Sequence, residues 1–146
     1  MTVALSGKDV AARLEQRFPD AIIASDEADL LVESGSLHDI ISHLKDAPEY
    51  KFNYFANVTA VDYFDYFEVV YHLTSMEHNH KMVLKTRCYG RENPSVPSVT
   101  DLYEGANFQE REVYDLMGIT FEGHPNLKRI LLWDGFEGHP LRKDYL

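Results

Sequence analysis

The sequence contains a single cysteine, Cys88, and that scarcity excludes a good deal of chemistry. One thiol cannot close an internal disulfide, and it cannot hold an iron–sulfur cluster, which takes about four thiolates. Such cysteine usage fits the cytosol, or the cytosolic face of a larger body. Basic residues are also few, with 14 Lys and Arg against 24 Asp and Glu and a net charge of −10. Phosphate binding needs a clustered basic surface, so nucleic acid is excluded as a partner. No apolar run approaches the length of about eighteen residues that reads as a membrane span. The start, MTVALSGKDV, lacks the basic and apolar stretches of a signal peptide. Any membrane association must therefore come through a partner. A P-loop, a G-x-G-x-x-G fingerprint, a G-x-S-x-G elbow and a C-x-x-C pair are also missing, which leaves no motif for a nucleotide or a redox centre.

What is present suits a globular fold. The 146 residues are 45% hydrophobic and 12% aromatic, enough for one domain with a proper core. Ser6 caps a predicted helix over Lys8–Arg17, in which Val10, Ala11, Leu14 and Phe18 recur at helical spacing before Pro19. Short strands are expected around Ala21–Ala24 and Asp29–Glu33. Gly35-Ser36 then breaks the strand, and Ser36-x-x-Asp39 caps a second helix carrying Leu37, Ile40, Ile41 and Leu44, ended by Pro48. From Tyr54 to Cys88 the composition turns to Tyr, Phe, Val and Thr, and three strands are predicted: Phe55–Asp62, Tyr66–Ser75 and Lys81–Cys88. The last two flank the polar stretch MEHNH as a hairpin. Arg91–Ser98, with Pro94 and Pro97, reads as a loop. Thr100–Tyr103 reads as a helical turn, and Ala106–Met117 as a helix stopped by Gly118. Consecutive strands with helices grouped apart define an α+β domain: a mainly antiparallel sheet, helices on one side and an irregular C-terminal tail.

Candidate chemistry lies mostly in that tail. FEGHP occurs twice, at Phe121–Pro125 and Phe136–Pro140, placing His124 and His139 fifteen positions apart. As metal ligands or bases they have no third partner in register. The structural reading is that each Gly supplies an unusual φ, each Pro fixes the next one, and each imidazole binds neighbouring backbone or a carboxylate. His78-Asn79-His80 superficially matches a nuclease motif but sits at the predicted hairpin tip, where a solvated turn explains it. Glu110, Arg111, Glu112 and Asp115 share the last helix, with Arg111 and Asp115 at i, i+4. Carboxylates there serve acid–base chemistry if desolvated, an ion-paired surface helix, or charges on a partner, and residue chemistry alone does not choose. Leu141 to Tyr145 sets Arg142 and Lys143 beside Asp144. With Lys128, Arg129, Trp133 and Phe136, this is the cationic and aromatic mixture enriched at protein interfaces.

The run EREVYDLMGITFEGHPNLKRILLWDGFEGHPLRKDYL, Glu110 to Leu146, closely resembles the signature of the 30-kDa-type subunit of respiratory complex I, the NADH:quinone oxidoreductase. That family has relatives in the photosynthetic NDH complex and in membrane-bound energy-converting hydrogenases. The resemblance rests on Glu110, Arg111, Glu112, Tyr114, Asp115, Gly118, Ile119, Phe121, Gly123, His124, Pro125, Leu127, Arg129, Ile130 and Leu131, then on Glu137 through Tyr145. Met117 and Lys128 depart from it, standing where relatives often carry an aromatic residue and Arg, and many relatives continue past the position of Leu146.

The resemblance implies one domain over 1–146, with an α+β body at 1–98 and the signature helix and tail at 99–146. It further implies an accessory subunit of the peripheral arm with no cofactor, metal or catalytic residue of its own. The subunit docks on the quinone-site large subunit and near the small cluster-bearing one. Iron–sulfur clusters and quinone belong to those partners, and the site is the cytoplasmic side of an energy-transducing membrane. The expected interface residues are Glu110, Arg111, Glu112, Tyr114, Asp115, His124, Pro125, Arg129, Trp133, His139, Pro140, Arg142, Lys143 and Asp144. Two alternatives stand beside it: the equivalent subunit of a nickel–iron hydrogenase, and a free-standing metal hydrolase using His124, His139, Glu110 and Glu112.

Overall fold

Three long strands rich in aromatic and β-branched residues build the centre of the structure. The chain is described by a computed structural model over residues 2–133 and 135–145; Met1 and two residues of the signature run, Asp134 and Leu146, lie outside the described residues. In chain order the elements are β1 (Val3–Ala4), α1 (Gly7–Arg17), β2 (Ile22–Ser25), β3 (Asp29–Val32), α2 (Ser34–Asp46), β4 (Tyr54–Asp62), β5 (Tyr66–Ser75), β6 (His80–Tyr89), β7 (Ser95–Pro97), α3 (Ala106–Met117) and β8 (Thr120–Glu122). The main sheet runs β2-β3-β6-β5-β4, with β1 added beside β6. Its β2/β3, β4/β5 and β5/β6 pairings are antiparallel, and β3 and β1 run parallel to β6. The α+β class and mainly antiparallel sheet expected from the sequence are therefore observed.

Register explains the layers. Leu30, Leu84, Tyr71 and Val58 lie opposite one another on successive strands, and all point into one core. Onto that face pack Val10 and Leu14 of α1, Val113 and Met117 of α3, and Leu37, Ile40, Ile41 and Leu44 of α2, the four apolar positions read from the sequence. The opposite face carries charge. Lys85 Nζ reaches Asp29 (2.8 Å) and Glu68 (3.5 Å), and Arg87 Nε donates to Glu68 (3.2 Å).

Three local expectations need correction. Ser36 does not cap α2: the helix begins at Ser34, with Glu33 at the cap and no side-chain cap hydrogen bond. Gly35 is tolerated inside the first turn, so the break falls at Glu33, two residues before Gly35. Arg91–Ser98 is not wholly loop and the tail is not wholly irregular, because β7 pairs in parallel with β8. Pro94 and Pro97 flank Val96 without interrupting it. Thr120 N–H donates to Pro94 O and Ser98 N–H to Glu122 O, while Val96 and Phe121 fill the core. Short two-stranded pairing of this kind has no periodicity long enough to read. Val3–Ala4 is likewise a strand that no pattern announced.

His78 and Asn79 lie in the β5–β6 turn, the hairpin tip expected, and His80 opens β6; the structure gives each histidine a backbone partner. His78 Nε2 donates to Pro48 O and His80 Nε2 to Tyr50 O, both at 2.7 Å. The pair fastens the hairpin tip to the segment after α2.

Candidate docking site

Helix α3 is the frame from which the C-terminal segment hangs. It ends where expected, with Gly118 in the left-handed conformation. Its acidic residues divide between two faces. Glu110 turns into the core, fully buried, where Oε1 accepts from Ser98 Oγ (2.6 Å) and Oε2 from Val99 N–H (2.9 Å). Burial pushes its carboxyl up to about 7 in spite of those two donors. Glu112, two residues on, faces solvent.

Asp115 is also fully buried, and it organises the tail. Its Oδ2 accepts three successive backbone N–H groups, from Ile130 (3.1 Å), Leu131 (2.7 Å) and Leu132 (2.9 Å). Oδ1 accepts from Arg129 Nη1 (2.7 Å), which also reaches Asp115 O, while Arg129 Nη2 donates to Gly138 O (2.7 Å). Burial alone would raise this carboxyl, but the backbone donors and Arg129 outweigh it and hold the pKa below its ordinary value. The i, i+4 pairing with Arg111 is not formed. Arg111 instead donates to the carbonyls of Lys128 and Arg129, both at 3.1 Å. Spacing placed the two on one helix side, but a longer-range partner with better geometry takes Asp115.

The two FEGHP turns clamp opposite ends of the same helix. Gly123 and Gly138 both sit at positive φ, 86° and 92°. His124 Nε2 donates to Asn107 O (3.0 Å) near the start of α3, and its Nδ1 accepts from Asn126 N–H (2.9 Å). His139 Nδ1 donates to Asp115 O (3.0 Å) near the end of the helix, its ring 6.3 Å from Tyr114. Both His124 nitrogens are occupied by backbone. Among the described residues no group of three or more His, Cys, Asp or Glu side chains is placed to hold a metal ion. Pro125 is exposed and Pro140 half-buried.

A second clamp lies outside the expected set. Asp62, at the end of β4, takes both Nη groups of Arg91 at 2.8 and 2.7 Å, and it also accepts from Lys143 N–H and Phe64 N–H, each at 2.8 Å. The Arg91 guanidinium is the main reason that its carboxyl stays well below the usual range. Arg91 Nε continues to Asp144 (3.0 Å). Arg142 lies over Phe67 and donates to the carbonyls of Met117, Arg91 and Gly118. Neither Asp62 nor Arg91 stands in any motif. They lie 29 residues apart, and only the fold joins them.

Held in this way, a segment with little regular structure displays apolar side chains outward. Trp133 is 68% exposed with its edge to Phe136, and Leu131 (58%) and Leu141 (60%) are exposed with it. Phe108 on α3 is also exposed, under the Arg111 guanidinium. Of the expected interface residues, Glu112, Pro125, Trp133, Lys143 and Asp144 face solvent. Glu110 and Asp115 are committed to internal contacts, while Arg111, Tyr114, His124, Arg129, His139, Pro140 and Arg142 are half-buried.

These features define a class: a small α+β domain whose ionic groups order a C-terminal surface. Residues 30–146 match the model of the family described as "Respiratory-chain NADH dehydrogenase, 30 Kd subunit", and the chain belongs to that family. It is 46% identical over 149 residues to an NADH-quinone oxidoreductase subunit of Roseiflexus castenholzii, covering 97% of this chain and 85% of that one. It is also 46% identical over 123 residues to a probable mitochondrial NADH-ubiquinone oxidoreductase 30.4 kDa subunit of Candida maltosa, covering 82% of this chain and 44% of that one. Among solved structures it resembles a chain in the membrane-bound sulfane sulfur reductase, an archaeal respiratory membrane complex. There the TM-score is 0.74 at 27% identity, covering 94% of this chain and 84% of the other. Among the described residues no helix is long and apolar enough to cross a membrane.

Proposed function

We propose that this chain is a docking subunit of the peripheral arm of a complex I-type oxidoreductase. It carries no cofactor and seats its tail on the large quinone-site subunit and near the small cluster-bearing one. Those partners hold the iron–sulfur clusters and bind quinone, and they supply the membrane association, on the cytoplasmic side. Residues 1–98 act as the body and 99–146 as the presenting helix and tail. The observation that carries the reading is the exposure of Leu131, Trp133 and Leu141 on a segment pinned by the buried carboxylate of Asp115. Ordering a tail in advance lowers the entropy lost on binding, which is how a rigid apolar anchor gains affinity. A buried Trp at an interface commonly contributes at least about 2 kcal/mol.

Trp133→Ala should therefore lower the amount of intact complex by tenfold or more at limiting subunit, while turnover per assembled complex stays near wild type. Native-gel abundance beside quinone reductase activity measures both. Normal abundance with collapsed turnover overturns the docking role.

A specific observation favours keeping a second reading. The likeness to a chain of the sulfane sulfur reductase means that the fold also serves a respiratory membrane complex of another name. The equivalent subunit of a nickel–iron hydrogenase is the corresponding alternative, and a neighbouring gene encoding a large subunit with nickel-ligating cysteines would establish it. The metal hydrolase is disfavoured because His124 is satisfied by backbone and Glu110 is sealed in the core. One tight metal per chain in the purified protein would revive it.

Cys88 fits a packing role. It is buried on β6, its Sγ lies 3.9 Å from Phe67 O, and burial pushes the thiol up to about 11. Cys88→Ala should cost about 1 kcal/mol in urea unfolding and leave quinone reduction by the assembled complex unchanged. Loss of electron transfer in a complex that still assembles would contradict this.

A further inference from the structure

An aromatic cluster beside the tail extends the docking surface over the end of the sheet. Tyr63, Tyr66 and Tyr89 form a row, with ring centroids 5.3 and 5.8 Å apart, where the β4–β5 turn meets the end of β6. Phe64 stands next to them at the tip of the turn. Tyr63, Phe64 and Tyr89 are all exposed, Tyr89 by 65%. A cluster of exposed rings is uncommon on a surface that meets only water, and it marks a place where another molecule sits.

Phe64 is held there against its backbone preference. Its φ is +69°, a region that bulky side chains rarely adopt. The conformation is maintained from both sides: Asp62 accepts the Phe64 N–H, and Arg91 donates to the Phe64 carbonyl (3.0 Å). The same Asp62–Arg91 pair binds Lys143 N–H and Asp144. One ionic cluster around the buried Asp62 thus fixes both the end of the tail and the outward Phe64 ring.

Charge indicates what the patch receives. Arg91 and Lys143 lie over Phe64, at 5.3 and 5.7 Å from the ring centroid, and Arg87 lies over Tyr66 at 4.3 Å. Arg91 and Arg87 already have carboxylate partners, in Asp62 and Glu68. Among the described residues the Lys143 ammonium forms no salt bridge, although the chain is rich in acid. Rings flanked by a cation that pairs with no described carboxylate complement a segment with an apolar side chain next to a carboxylate.

The geometry points to a second contact zone, formed by Phe64, Tyr63, Tyr66, Tyr89 and Lys143. It receives an apolar segment bearing a carboxylate from the same subunit that takes the tail. The inference rests on the docking reading above, because the patch is contiguous with the tail through Asp62, Arg91 and Lys143. It goes beyond that reading in placing part of the interface on the α+β body, outside the signature segment.

Phe64→Gly separates ring from scaffold, since glycine accepts φ of +69° and removes only the side chain. In the full isolated chain its urea midpoint should match wild type closely. In cells the intact complex should fall at least fivefold. Tyr89→Ser, at an exposed strand end, should do the same and stands in if Phe64→Gly fails to fold. Normal abundance of intact complex for a folded variant overturns the inference. A photo-crosslinker at position 89 of the purified intact complex should label the subunit labelled from position 145. Labelling of a different subunit or of a second copy of this chain, or no labelling, overturns it as well. Trp133→Ala, run in parallel, distinguishes the two readings. Normal assembly there together with loss in Phe64→Gly would sink the tail reading and keep this contact, and the reverse pattern would sink this contact alone.

Discussion

Asp115→Ala should destabilise the chain by about 3–5 kcal/mol, the range for removing one partner of a buried charge pair. Few side chains here have so much depending on one group. The carboxylate satisfies three consecutive backbone N–H groups, from Ile130 to Leu132, as well as the Arg129 guanidinium. Its removal leaves three half-buried backbone donors without an acceptor and Arg129 with only the Asp115 and Gly138 carbonyls, and each unsatisfied buried donor costs about 1–3 kcal/mol unless the segment moves away. The tail is free to move, so we expect release rather than a fully strained fold. Urea unfolding of the isolated chain should show the lost stability. Limited trypsin digestion should cut at Lys128 and Arg129 at least tenfold faster than in wild type. Asp115→Asn should fall between the two, because an amide keeps the shape but offers one acceptor oxygen instead of two. If Asp115→Ala moves the midpoint no more than the exposed Glu112→Ala does, the carboxylate is not what holds the tail.

How much of this was legible in the sequence depended on distance along the chain. Helices α1, α2 and α3 and the long strands β4, β5 and β6 followed from periodicity and composition within about ten residues, and each was found within a few residues of its expected place. The turns at Gly123 and Gly138 were legible for a similar reason: a Gly-His-Pro sequence constrains its own backbone. Pairings between distant residues were not legible. Asp115 finds Arg129 rather than the nearby Arg111, and Asp62 finds Arg91 and the Lys143 backbone, with no spacing rule to connect them. The short strands β7 and β8 also escaped, since three residues carry no period. Glu110 was legible as a functional candidate but not as a buried one, because a carboxylate in a helix of alternating charge reads as solvated until its neighbours are known.

That burial leads to the other large effect, on stability against pH. Among the described residues Glu110 has no cation beside it; its neighbours there are the Ser98 hydroxyl, the Val99 N–H, the Asp101 carboxylate and the buried hydroxyl of Tyr71, which has no described partner. Burial is the main reason that its pKa is lifted from the ordinary 4.5 to about 7. A carboxyl whose pKa is raised in the folded state binds its proton more tightly there than in the unfolded chain. Its contribution to stability is therefore complete below about pH 4.5 and is lost as pH rises through about 7. Two to three pKa units at about 1.4 kcal/mol each give a swing on the order of 3 kcal/mol. Glu110→Gln removes the titration and keeps the shape. Its amide oxygen can still accept from Val99 N–H and its NH2 group can donate to Ser98 Oγ. The difference in unfolding free energy between Glu110→Gln and wild type should thus shift by about 2–3 kcal/mol in favour of the variant from pH 5 to pH 8. Subtracting the two proteins cancels groups that titrate in both, His43 among them. A difference that stays flat across this range would mean that Glu110 is charged throughout, with its two hydrogen bonds outweighing the cost of burial.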